Sequence, residues 1–203
     1  MNNIFEQRRS INFFNPNKEI EEKVLKDIIN LAVLAPSAFN LQPWQIIAVK
    51  SKEAKEKLFK LSSSQPKVLE APVTLIIAGD KSGYEPSNPI WNEYLKKFNG
   101  DKDKLAGTQG FAHSLYGTSE ERRIKFAESN AGLLAMSIMY AAKAYGVDSH
   151  PMSGIDFDGI RKEFGLDENK TVVMTIALGY FDESKTLYGR AYRRGYEEVV
   201  KEV

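Results

Sequence analysis

Apolar residues Ile20, Val24, Ile28 and Leu31 recur at helical spacing, which predicts a helix from Glu19 to Ala35 that Pro36 ends. A shorter helix precedes it around Phe5 to Arg9. Gln45 to Val49 and Pro72 to Ala78 are continuous apolar, β-branched runs, so both read as buried strands of the central type. Ser51 stands where it can cap the next helix, the one that carries Leu58. From Gly79 to Thr118 the pattern weakens into Gly, Pro, Asn and aromatic residues. That is too long for a structureless connection and predicts short helices or an active-site cover. Glu120 to Tyr145 is a long helix whose middle, Ala131 to Ala142, is apolar around nearly its whole circumference. Such a helix must be covered on all sides, and in a chain this size a subunit interface is the simplest cover. Gly146 stops it. A turn at His150 to Gly154, a short helix at about Asp158 to Phe164 and a strand from Thr171 to Leu178 follow. The tail is basic from Arg190, and Tyr196 to Val200 reads as an edge strand or an arm around a partner.

Composition narrows the chemistry. With 203 residues, 42% hydrophobic and no internal break, the chain reads as one domain over 1–203. Lys plus Arg number 28 against 27 Asp plus Glu, a net charge of +1, so no global field favours nucleic acid or an anionic membrane. Any anion site must be local. No apolar run is long enough to span a bilayer, and the start Met1-Asn2-Asn3-Ile4-Phe5-Glu6 lacks the pattern of a signal peptide, so a cytoplasmic location is expected. There is no cysteine, and His113 and His150 are the only imidazoles, which excludes thiolate chemistry and the usual cysteine or multi-histidine metal sites. Without a carboxylate pair, a Ser/His/Asp set or a glycine-rich phosphate loop, difficult chemistry would have to come from an organic cofactor.

Four segments could hold one. Arg8-Arg9-Ser10 sets two guanidiniums beside a hydroxyl, and guanidinium forks match phosphate well, although an isolated Arg-Arg-Ser is commonly just solvated. Pro36-Ser37-Ala38-Phe39-Asn40-Leu41-Gln42-Pro43-Trp44 packs hydrogen-bonding side chains between two prolines, more than an ordinary turn needs. His150-Pro151-Met152-Ser153-Gly154 could lie flat against a planar ligand or be a plain turn. Arg190 and Arg193-Arg194 repeat the guanidinium theme at the far end of the chain.

Taken in this order and spacing, these segments, with Val172 to Tyr180 and Arg193-Arg194-x-x-Glu197-Glu198-Val199-Val200, resemble the nitroreductase family over nearly the whole chain. The resemblance implies an α+β fold: an α/β/α sandwich on a mainly antiparallel sheet, built as an intertwined homodimer with two FMN at the interface. It implies that Arg8, Arg9, Ser10 and Asn12 hold the FMN phosphate, ribityl chain and pyrimidine edge, with Arg193 and Arg190 closing on the phosphate. Ser37 and Asn40 would reach the flavin of the other subunit, with Pro36 and Ala38 of the same segment also cofactor-binding. Pro151, Met152, Ser153 and Gly154 would line one face of the ring, with an N–H of Ser153 or Gly154 directed at N5 and O4. Lys67 matches a lysine near N1 and O2, where a cation favours the more negative redox state. The chain departs from the family pattern in three places. Ala38 stands where a second serine is common, Ser153 where many members have glutamate, and Arg190 or Ala191 where a lysine is frequent.

The activity implied is electron transfer from NADH or NADPH to a small electrophile such as a nitroaromatic or a quinone, by ping-pong turnover on FMN. Tyr84, Trp91, Phe111 and Tyr116 of the 79–118 stretch are candidates to stack on flat ligands, though such residues are more often local core. The alternatives are a flavin-binding carrier or sensor without turnover, and an anion-binding module with no flavin.

Overall fold

The computed structural model describes residues 4–203; the first three, which enter the reading of the N-terminus, lie outside the described residues. Helix α1, Ile4–Gln7, ends just before Arg8, whose N–H bonds back to the Ile4 carbonyl. Helix α2, Glu22–Ala32, begins three residues later than its apolar periodicity suggests. The chain before it is already committed: Asn15 N–H donates to Tyr180 O at 2.8 Å, and the Lys18 ammonium sits 4.0 Å from the centre of the Tyr180 ring. Leu25, Ile28 and Ala32 form the buried stripe of α2, whereas Leu31 is 42% exposed, so the core-facing set is shifted from the expected one.

Strand β1, Trp44–Val49, leads into α3, Lys52–Lys60, whose first turn is capped by Ser51 Oγ accepting from Ala54 N–H at 3.2 Å. Helix α4, Lys67–Glu70, precedes β2, Val73–Asp80. The weakly patterned stretch holds α5, Ile90–Lys97, and α6, Lys102–Tyr116, as its length demands. Then come α7, Glu120–Ala144, β3, Asp148–Met152, α8, Phe157–Glu163, and β4, Lys170–Gly179. His150 to Met152 are therefore strand rather than turn. Their backbone pairs with Thr175 to Ala177, which no local turn signal could outweigh. At the C-terminus Tyr196–Val199 is one helical turn, α9, and not an edge strand; Gly195 N–H donates to Glu198 Oε2 across its start.

All strand pairs are antiparallel, in the order β1-β2-β4-β3. Strand β2 is central and buried nearly throughout. Strand β1 is at an edge, contrary to its central-type sequence, and all its residues but Val49 are half-buried or exposed. Alternation along β2 sends Val73, Leu75 and Ile77 to a core with α2 and α7, and Ile76 and Ala78 to a second core with Leu58 of α3, Val68 of α4 and Ile160 of α8. The result is helix, sheet, helix in three layers. A bulge between Ile77 and Ala78 skips Val173 of β4, which reconciles the alternation of the two strands.

Helix α7 runs across the sheet so closely that a Cβ at Gly79 would lie 2.6 Å from the Ala127 backbone. Most of its apolar circumference, including Ala131, Leu134, Ala135, Ile138 and Ala142, is covered by its own chain, more than its composition suggests. What stays exposed includes Leu133 of α7, at 48%, Leu34, at 77%, which lines an open hollow with Tyr140, and Phe5, at 67%, whose ring packs at a tilt on Tyr140. A third cluster, Leu41, Tyr84, Trp91, Ala112 and Phe126, holds α5 and α6 against α7. Among the described residues no helix is long and apolar enough to cross a membrane.

Candidate functional site

The two ends of the chain meet. Residues 10–15 are threaded between β3 and the segment after β4: Ile11 N–H donates to Ser149 O at 3.1 Å, and Asp182 N–H to Phe13 O at 3.1 Å. The Arg9 guanidinium donates to the carbonyl of Tyr188, 179 residues away, and the Phe13 and Tyr188 rings pack with centroids 5.8 Å apart. These contacts enclose a cavity of about 210 Å³ lined by Arg8, Arg9, Ser10, Asn12, Arg190 and Arg193, with Ala191 beside them. Among the described residues no carboxylate lines it.

The electrostatics of this cavity are unbalanced in an otherwise neutral chain. Nη1 of Arg8 is buried without a hydrogen-bond partner, a state that costs free energy unless a ligand supplies the acceptor. Among the described residues, Arg193 bonds only to backbone carbonyls of its own neighbours, Ala191 at 3.2 Å and Tyr192 at 3.0 Å. Guanidiniums from both chain ends, a serine hydroxyl and an asparagine amide give this cavity a donor-rich lining, of the kind that suits a phosphomonoester. An FMN phosphate fits this donor set.

A second group adjoins it. Lys67, the first residue of α4, is half-buried, and burial pushes its ammonium below the usual lysine range. Its Nζ lies 3.4 Å from Gln65 Oε1, while Gln65 Nε2 donates to Gly154 O at 3.2 Å and Ser63 Oγ donates to the same oxygen at 3.0 Å. The loop Ser153-Gly154 is thus pinned from the side of Lys67. His150 is half-buried, and its Nδ1 donates to Ile11 O at 2.9 Å. Burial, and then the charges of Lys67 and Arg8, push its pKa down to about 4, so the imidazole is neutral at physiological pH. Gln65, Ser63 and the structural role of His150 were not signalled by any motif; only the Ser62-Ser63-Ser64-Gln65-Pro66 polar run ahead of Lys67 hints at them.

The 36–44 segment is elsewhere in the chain. Ser37 Oγ accepts from Gln42 N–H at 3.0 Å, Asn130 Oδ1 accepts from Ala38 N–H at 2.8 Å, and Tyr94 OH donates to Phe39 O at 2.9 Å. Phe39, Asn40 and Gln42 all have positive φ, near 50°, so the backbone is held in a conformation that side chains rarely adopt. Within one chain, Pro36, Ser37, Ala38 and Asn40 do not line the arginine cavity, and neither do Lys67 or Pro151 to Gly154. Tyr84 and Trp91 are buried in the third core cluster and cannot stack on a ligand, whereas Phe111 is 59% exposed.

Comparison with known proteins follows the same lines. The sequence profile described as the Nitroreductase family matches residues 5–180. A Lactiplantibacillus plantarum protein named CLA biosynthesis enone reductase is 34% identical over 85% of this chain and 81% of its own length. The crystal structure of a provisionally named nitroreductase, ydfN, from Bacillus subtilis superposes with a TM-score of 0.91 at 31% identity, covering 98% of this chain and 97% of that one. A Staphylococcus epidermidis structure, provisionally named an NAD(P)H:FMN oxidoreductase, gives a TM-score of 0.88 at 28% identity, over 100% of this chain and 95% of that one.

Proposed function

Because this chain belongs to the nitroreductase family of oxidoreductases, we propose that it binds FMN and passes electrons from NADH or NADPH to a small electrophilic acceptor. The observation that carries the reading is the buried, unpartnered Nη1 of Arg8, in a cavity that gathers arginines from both chain ends and no acid. FMN, when bound, supplies the hydride and electron chemistry that no side chain here can perform.

The residues have separable tasks in this reading. Arg8, Arg9, Arg190 and Arg193 neutralise the phosphate, and Ser10 and Asn12 hydrogen-bond the polar chain and pyrimidine edge. Lys67 places an under-solvated cation beside the ring. Gln65 and Ser63 hold the Gly154 carbonyl, so that Pro151 to Gly154 form a fixed surface against one face. Pro36, Ser37, Ala38 and Asn40, remote from the cavity in their own chain, complete the site of a second copy in a homodimer. The exposed apolar side chains of Leu133, Leu34 and Phe5 support such a dimer. Nicotinamide and acceptor then use the same open side in turn, a ping-pong order. The enone reductase name of one relative supports a conjugated acceptor.

The test is an absorbance spectrum of the purified protein, followed by NADH or NADPH under nitrogen. Flavin bands that bleach, and that return on adding a nitroaromatic or quinone, are expected. A flavin that stays oxidised with both donors leaves a carrier, and a colourless protein that does not take up FMN removes the cofactor.

A further inference from the structure

A groove of about 410 Å³ lies between the end of α6 and the first half of α7, apart from the arginine cavity. Its apolar wall is Leu115, Tyr116 and Phe126, the last two stacked with ring centroids 4.5 Å apart. Phe111, one helical turn before Leu115 on α6, packs edge-on against Phe39 at 6.1 Å. Arg122 and Lys125 also line the groove, and three residues apart on a helix they share a face.

These two cations are conspicuous for what they do not touch. Their neighbour Arg123 reaches Glu120, and Lys81 pairs with the same carboxylate. Among the described residues neither Arg122 nor Lys125 has an acidic partner. Arg122 donates to the carbonyls of Ser114 and Leu115, at 3.5 and 3.3 Å, which fastens it to the end of α6 and leaves most of its fork free. Charge left unpaired beside an aromatic wall is complementary to an apolar molecule ending in an anion.

We infer that this groove receives acceptors with a flat or elongated apolar body and a carboxylate, the body against Leu115, Tyr116 and Phe126 and the carboxylate on Lys125 and Arg122. This rests on the reading above that the segment holding Ala38, which also lines the groove, reaches the flavin of a second copy. It adds the chemical class of the acceptor.

Calorimetry on the FMN-loaded protein with naphthalene-2-carboxylate and naphthalene-2-carboxamide, two ligands that cannot be reduced, reads the groove directly. Lys125→Gln should weaken the carboxylate by about fivefold, the range of an exposed ion pair, and narrow its advantage over the carboxamide by as much. Lys125→Glu should reverse the preference. In turnover, the ratio of kcat/KM for 4-nitrobenzoate to that for its methyl ester should fall with the same variants. Equal loss for both ligands, or no loss, overturns the inference. So does a rise in KM for NADPH but not NADH with the carboxylate unaffected, which would assign the cations to the dinucleotide phosphate. Failure of the wild-type protein to take up FMN is seen separately in its spectrum and removes the functional reading instead.

Discussion

His150 Nδ1 donates to the carbonyl oxygen of Ile11 at 2.9 Å, and this bond ties the strand that leads to Ser153-Gly154 to the segment that carries Arg8, Ser10 and Asn12. Its other nitrogen is left as an acceptor in a neighbourhood of two cations, Lys67 and Arg8. The imidazole is therefore kept neutral by its surroundings and not by chance.

That neutrality has a pH signature. The folded pKa of about 4 lies below the ordinary value of 6.5, so between them the unfolded chain binds a proton that the folded chain refuses. Stability from this group is complete above about pH 6.5 and falls as pH drops towards 4, by about 2 kcal/mol after allowing for its partial exposure. Urea unfolding of wild type and His150→Gln across that window should show a shallower fall in the variant. Identical slopes would mean the proton is taken up elsewhere.

Arg8 combines a binding gain with a folding cost. Arg8→Ala should weaken FMN by about 1.5–3 kcal/mol, roughly tenfold to a hundredfold, as for loss of a hydrogen bond to a charged group. The flavin-free variant should melt no lower than flavin-free wild type, because its buried Nη1 has no partner to lose. An apo variant that is clearly less stable would show that Arg8 is structural.

Lys67→Met should lower the flavin reduction potential more than it lowers FMN affinity. The ammonium is already under-solvated by burial, more than the charge of Glu70 offsets, and its one side-chain hydrogen-bond partner among the described residues is Gln65 at 3.4 Å. Its attraction to charge gained on reduction is correspondingly little screened. Potentiometric titration of the two proteins checks it; an unmoved potential sinks the role.

Complementation tests the shared site. If Arg8 serves the flavin of its own chain and Asn40 that of its partner, Arg8→Ala and Asn40→Ala homodimers are both impaired in every site. In a mixed dimer one site collects both lesions and the other neither. Random pairing on co-expression should restore about a quarter of all sites, since about half the dimers are mixed. Activity no higher than the mean of the separate mutants would confine each site to one chain.

Periodicity and punctuation were enough to find most elements of this protein. The buried run of β2, the strand at β4, the Ser51 cap and the long apolar helix all follow from patterns within a dozen or so residues, where side-chain spacing directly encodes which face is buried. The motif order was legible too, and the resemblance it carries implied a shared site for arginines from both chain ends, four of which, Arg8, Arg9, Arg190 and Arg193, line one cavity in the fold. Near-neutral net charge made that site local.

Other features depend on what lies alongside, which no local window contains. Strand β1 has a central-strand composition, yet among the described residues nothing pairs with its outer side, so it is an edge. Pairing with β4 drew His150 to Met152 out of a turn and into β3, and so set His150 over Ile11. The apolar circumference of α7 announced burial but could not say by what, and its own sheet and helices took most of it. Gln65 gained its place by a bond to Gly154, 89 residues away. Hydrogen bonds and desolvation act across space at a few ångströms, and only the closing of the long chain onto itself brings such partners within that range.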